Sequence, residues 1–130
     1  MIGRPLGADE LGAYDLVDPV IAARVRVVRV PVLPPGASGM TLGRWVLLLS
    51  DADRRGGRTL LAHELVHVEQ FRRHGTIRFL LRYLGQYLRA LRRLRSHRTA
   101  YRSMPLELEA RARADQWRAR HAARTGRARM

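Results

Sequence analysis

The chain predicts an α+β fold: a small antiparallel or mixed β-sheet near the N-terminus, packed on a helix that carries two histidines, with two further helices after it. Three observations carry this expectation. "ARVRVVRVPV" alternates valine with arginine, the period of two that marks a strand with one buried face. "MTLGRWVLLL" is a second extended run, and its continuous apolar end suggests burial on both faces. From Thr59 to about Ala123 the apolar period becomes helical. Strands first and helices after is the layout of α+β domains.

Taken in order, Asp18 is an N-cap and Pro19 a first helical position, so a short helix begins there. The first strand runs from Val25 to about Val32, and Pro31, which cannot donate to a ladder, sets that end at a sheet edge. "LPPGASG" is a loop. The second extended segment runs from about Met40 to Leu49, and "SDADRRGG" is a polar turn. A helix from Thr59 to about Arg73 stops at Gly75. Thr76 caps the next helix, where Ile77, Leu80, Leu81, Leu84, Leu88, Leu91 and Leu94 recur at helical spacing. That spacing predicts a core-facing leucine face with the arginines solvated behind it. "SHRTAYRSM" is a connection, and Pro105 starts a third helix that ends near Ala123. We therefore expect an N-terminal segment over 1–24, one domain over 25–123 and a disordered tail over 124–130.

A chain of 130 residues without cysteine excludes disulfides, thiolate metal sites and thiol nucleophiles. Any metal has to be held by His, Asp and Glu. The first residues lack a basic start followed by an apolar run, and no apolar stretch is long enough to span a bilayer. A cytoplasmic protein is the expectation. The net charge is +14, yet all 25 basic residues are arginine, which points to GC-rich coding as much as to an anionic partner. Position is more telling than total. Ten arginines and no acid lie between Glu69 and Glu107.

The sharpest motif is "LLAHELVHVEQ". Positions i and i+4 of a helix share a face, so His63 and His67 can offer both imidazoles to one zinc ion. Glu64 lies about 100° round the helix, where a carboxylate can act as general base on a zinc-bound water without ligating. The metzincin spacing is excluded, because its Gly and third His positions hold Gln70 and Arg73. The third ligand then comes from Glu69, His74, His97, Glu107, Glu109, Asp115 or His121. Glu69 is rotated away from the histidine face. Glu107 and Glu109 are the first acids after the long gap, on a helix whose N-terminus Pro105 sets.

"LLAHELVHVEQ" followed by "ELEARARA" resembles the gluzincin metallopeptidases, whose third zinc ligand is a glutamate from a later helix. The closest likeness is to a small minigluzincin-like metallopeptidase domain encoded beside extracellular contractile injection systems, with a Thr-x-Gly strand, a short turn and a Leu-Leu-Ala-His-Glu-Leu-x-His helix. "MTLGRWVLLLSD" and "LLAHELVHVEQ" follow that order, and the likeness spans roughly 25–115. It implies a minimal zincin-like fold, one Zn2+ per chain and hydrolysis of peptide bonds. Related HtpX-type and ImmA/IrrE-type peptidases place the ligand glutamate three residues before an alanine. That register selects Glu107, before Ala110, with Glu109 the alternative. Several gluzincins carry an acid four residues after the ligand to orient a zinc-bound histidine, and here that position is Arg111. The resemblance also assigns the strand before the motif helix to substrate, with Gly43, Trp45 and Leu47 as contact positions. Tyr101 is its candidate for oxyanion stabilisation.

Three functions compete. One is a zinc metalloendopeptidase acting on a peptide or protein substrate, with a protein partner completing the cleft. Another keeps fold and metal as an inactive or weakly active interaction and assembly module. In a third, the basic helix from Thr76 to Arg95 meets nucleic acid or an anionic membrane.

Overall fold

The computed structural model describes residues 3–34, 36–51 and 56–128. Of the expected turn, residues 52–55 lie outside the described residues, as do Pro35 of the expected loop and the last two residues of the tail. The described elements are α1 (Ala8–Ala13), α2 (Pro19–Ala22), β1 (Arg26–Arg29), β2 (Gly39–Leu42), β3 (Trp45–Leu48), α3 (Thr59–His74), α4 (Thr76–Leu94), α5 (His97–Ser103) and α6 (Pro105–Ala128). This is the α+β architecture that the residue pattern predicts. Among the described residues no helix is long and apolar enough to cross a membrane.

The sheet has the order β1-β3-β2, with β1 parallel and β2 antiparallel to the central β3. The single extended segment expected over Met40 to Leu49 is instead a hairpin. Gly43 opens its two-residue turn with φ +63°, the sign a type II′ turn requires at that position. β1 ends before Pro31 and lies at a sheet edge, where residue Arg4 bridges to Val27 by two backbone hydrogen bonds of 2.8 and 2.9 Å. The outer edge of β2 faces no strand among the described residues.

Helix α3 packs most extensively on α6 and lies across β2 and β3. It buries Leu61, Leu65, Val66 and Val68 in the main core with Val46 and Leu48 of the sheet and Ala110, Ala114 and Trp117 of α6. The segment 1–24, set apart in the sequence reading, contributes Leu6, Tyr14, Leu16, Val17 and Ala22 to this same core. Tyr14 packs against Trp117 at 4.9 Å, and its hydroxyl accepts the Arg58 N–H at the start of α3. Arg4 clamps the N-terminal segment to the sheet by reaching both Glu10 and Asp51 at 2.7 Å. Gly75, with φ +81°, ends α3, and Arg72, Arg73 and His74 complement the negative end of its dipole.

Three further expectations change. The connection over 96–104 contains helix α5, which Ser96 caps by accepting the Thr99 N–H. Helix α6 continues to Ala128, so residues 124–128 are helical rather than part of a disordered tail. The largest correction concerns α4. Its leucine face does not meet the core: Ile77, Leu80, Leu81, Leu84 and Leu88 are between 44 and 74% exposed. The inward row is Phe79, Tyr83, Gln86 and Ala90, spaced four, three and four residues apart. Phe79 closes a small cluster with Phe71 and Leu106, Tyr83 packs against it, and Gln86 accepts the Leu106 N–H. Helical periodicity fixes which residues share a face, but not which of two faces the protein covers.

Candidate metal centre

The centre forms where the middle of α3 meets the first turn of α6. His63 and His67 project from one face of α3, and Glu107 reaches them from the third position of α6. Pro105 sets the start of α6 without wasting a backbone donor, and the positive end of the helix favours an ionised Glu107. His63 Nε2 lies 3.0 Å from Glu107 Oε2, His67 Nε2 lies 3.2 Å from Glu107 Oε1, and the two Nε2 atoms are 3.2 Å apart. Zinc bonds of about 2.0–2.1 Å put neighbouring tetrahedral ligands roughly 3.4 Å apart, so an ion fits with outward shifts of a few tenths of an ångström. His63, His67 and Glu107 offer one ligand atom each within 4.8 Å of one another.

The surrounding hydrogen bonds set which nitrogen of His67 carries the free lone pair. Gln70 is fully buried; its amide NH2 donates to the Leu106 carbonyl at 3.1 Å and to Glu109 Oε1 at 3.0 Å. Both partners only accept, which fixes the amide orientation and turns Gln70 Oε1 towards His67. His67 Nδ1, 2.8 Å away, must therefore donate to it. In the neutral imidazole this leaves Nε2 as a bare lone pair facing His63 Nε2 and Glu107. Such a convergence of acceptors calls for a proton or a cation. Gln70 thus takes over the orienting role that Arg111 cannot perform from α6, where Arg111 reaches the Arg102 carbonyl instead.

Glu64 adds a second buried acceptor beside the histidines. The residue is 2% exposed, and its Oε2 has no hydrogen-bond partner among the described residues. A buried, unpaired carboxylate oxygen is costly unless a ligand or water meets it. Burial pushes the Glu64 carboxyl above its ordinary value, with the two imidazoles opposing and Glu107 adding to the shift. Burial also works against charge on Glu107. Hydrogen bonds from His63 and His67, the His67 charge and the Tyr83 hydroxyl nonetheless hold its carboxyl well below the usual carboxylate range. For His67, burial disfavours the cation, but Glu107 outweighs it and raises the imidazole.

Two tyrosines complete the surroundings. Tyr83 of α4 donates to Glu107 Oε1 at 2.7 Å. Tyr101 of α5 is half-buried beside the same carboxylate. Burial, then the nearby charge on Glu107, pushes both phenols upward, so both stay protonated. The sequence reading gave a role to Tyr101 but none to Tyr83 or Gln70. Gln70 had a signal: it lies three residues after His67 and seven after His63, on the same helical face. Tyr83 had none, because the inward face of α4 is decided by tertiary packing.

The remaining ligand candidates lie outside the cluster. Glu109 is 2.7 Å from Arg73 and supports Gln70 rather than joining the cluster. Glu69 pairs with Arg113 at 2.8 Å, His97 meets the Tyr87 hydroxyl at 2.6 Å, and His121 stacks on Trp117. Asp115 is exposed, and His74 sits at the end of α3. The expected substrate strand is also corrected. Gly43 is a turn residue, and Trp45 and Leu47 belong to the central strand, whose two edges are already paired. The open edge is β2, where the register directs the backbone groups of Gly39 and Thr41 outward. Thr41 Oγ1 donates to the Glu64 carbonyl at 3.0 Å, and a Cβ on Gly39 would stand 3.2 Å from Glu64 Cγ. The free edge therefore runs beside Glu64.

Residues 33–75 match the family model of the eCIS core domain, which links this segment to extracellular contractile injection systems. The match takes in the hairpin and all of α3, with His63, Glu64, His67 and Gln70, and stops before α4 and Glu107. No curated protein and no solved structure matches the chain.

Proposed function

We propose that the chain is a zinc-dependent peptidase of gluzincin type, working as a module associated with an injection system. The observation that carries this reading is the convergence of His63, His67 and Glu107, with His67 held by Gln70 in the tautomer that frees Nε2. These residues would hold the ion, which when bound acidifies water and polarises a carbonyl oxygen.

The chain's own residues do the rest. Glu64, buried with one oxygen unpaired, takes a proton from water at Oε2 and passes it to the departing amine. Its raised carboxyl suits both halves of that transfer. Tyr101, kept protonated, donates a hydrogen bond to the oxygen on which charge develops. Tyr83 and Gln70 hold Glu107 and His67 in place. An extended polypeptide pairs with the outward backbone groups of Gly39 and Thr41, which carries its scissile bond past Glu64.

The test compares wild type with Glu64→Gln at equal zinc occupancy on an unstructured protein such as casein. A fall in turnover of at least about 10²-fold with metal retained supports the reading. Equal turnover refutes it. A second reading, a zinc-bearing assembly module without turnover, draws on the cover over the ligands: Phe79 and Tyr83 of α4 both pack near His67, which is 4% exposed. Metal bound at one per chain with no turnover of any peptide would favour it.

A further inference from the structure

Helix α4 turns one face to the candidate metal centre and, among the described residues, leaves the other without a partner. Ile77, Leu81, Leu84 and Leu88 form a continuous outward stripe, with Leu80 beside them and Leu91 half-buried at its end. At 1.5 Å per residue the stripe is about 21 Å long. Arg78, Arg82, Arg89, Arg92 and Arg93 flank it on one side, all exposed. None of the five has a carboxylate within ion-pair distance among the described residues, and α4 contains no acid. Where α3 ends, Arg73, His74, Arg78 and Arg82 line a cleft of about 350 Å³ that Leu81 also borders.

From this we infer that α4 docks the protein on an anionic lipid surface, leucines in the acyl boundary and arginines among the headgroups. Exposed aliphatic residues beside unpaired cations are the pattern of an interfacial amphipathic helix. Arginine stems run along apolar surface while their guanidinium groups stay in water or on phosphate. The basic cleft next to Leu81 gives a headgroup phosphate a seat adjoining the apolar stripe. Charge decides the occupant. A second copy would bring one cationic flank against another on a chain of net charge +14, whereas an anionic bilayer neutralises that flank. The stripe is purely aliphatic, with no buried polar side chain or aromatic ring to set a register against a protein. A lipid surface needs no register. The helix is too short of apolar residues to span, so it lies on the surface.

The experiment sediments the full chain with vesicles of phosphatidylglycerol and phosphatidylcholine in equal parts, and with phosphatidylcholine alone, at physiological salt. Binding to the first and little to the second is expected. Leu84→Gln with Leu88→Gln lowers binding at least about tenfold, because both leave the acyl boundary. Arg82→Gln and Arg89→Gln lower it about fivefold each. All four positions are exposed, so melting and zinc content stay unchanged. Several results would overturn the inference: no binding to the anionic vesicles, equal binding to both kinds, or leucine variants that bind like wild type. The last would mean a purely electrostatic film. A wild-type dimer in analytical ultracentrifugation that Leu84→Gln dissolves would assign the stripe to a second copy instead.

Discussion

Replacing Gln70 by leucine tests the centre through a residue that touches no metal. The substitution puts a slightly larger apolar side chain in place of the amide and removes the acceptor for His67 Nδ1–H and the donor to the Leu106 carbonyl, bonds of 2.8 and 3.1 Å. His67 Nδ1–H is then buried without a partner, at a cost of about 1–3 kcal/mol, while the Leu106 carbonyl keeps the Ala110 N–H of its own helix. The metal-free protein should therefore lose roughly 1–3 kcal/mol of stability. The imidazole is also freed to rotate and to change tautomer, which typically weakens metal binding about 10–100-fold. In free energy that is roughly 1.4–2.7 kcal/mol. Competition against a chromogenic chelator at fixed pH reads the affinity, and thermal melting of the metal-free chain reads the stability. Gln70→Glu separates the two effects. Its carboxylate still accepts from Nδ1–H, so zinc affinity stays within about threefold, far from the 10–100-fold loss. It also sets a negative charge against Glu109 and abandons the Leu106 carbonyl, so stability falls. An unchanged zinc dissociation constant in Gln70→Leu, with His67→Ala losing the metal, would refute the orienting role.

Other outcomes follow from the same geometry. Glu107→Ala should weaken zinc by orders of magnitude, while Glu109→Ala should cost about tenfold at most, because Glu109 supports Gln70 without ligating; the reverse ranking in the chelator titration would overturn the ligand set. Gly39→Ala should lower turnover more than it lowers zinc affinity, since its methyl would press on Glu64 Cγ at 3.2 Å and leave the ligands alone. The pH dependence should differ in sign between the two states. His67 is raised above its ordinary value, so its pair with Glu107 stabilises the metal-free fold below that ordinary value and is lost as pH rises through the raised one. Zinc binding displaces the same proton, so the extra stability of the loaded protein grows over that window; parallel melting curves from mildly acidic to mildly alkaline pH would contradict this.

How much of this was legible before folding depended on distance along the chain. His63, Glu64 and His67 share one helix turn, so their spacing alone fixed their relation. Glu107 lies 44 residues from His63. The spacing of residues could not choose it over Glu109; the register borrowed from the gluzincin resemblance did. The physical reason appears only in three dimensions, because Glu109 is held by Arg73 from the end of α3. The hairpin was within reach, since Gly43 and Arg44 between two extended runs are a two-residue turn with glycine in first place. The α4 leucines misled for a different reason. A strong apolar period is read as a buried face, and here the protein buries the weaker row because Phe79 and Tyr83 cover the histidines.

The departure at Arg111 shows how one local rule can be replaced by another. An orienting carboxylate there would have joined Glu64 and Glu107 as a third acid around a nearly buried cluster. With a zinc ion held by the two imidazoles and Glu107, the carboxylates of Glu107 and Glu64 would already balance its two charges. A further carboxylate would leave that set net negative, in a place where an unbalanced charge is expensive. A neutral amide from the neighbouring turn of α3 orients His67 without adding charge, and Glu109, half in solvent, anchors that amide from outside. On this account Gln70→Glu is tolerated by the metal only because Arg73 lies 2.7 Å from Glu109 and can offset the added charge. Gln70→Glu combined with Arg73→Gln should therefore lose more stability than the two single changes summed. Additive losses in a double-mutant cycle would mean that charge balance is not what selects glutamine here.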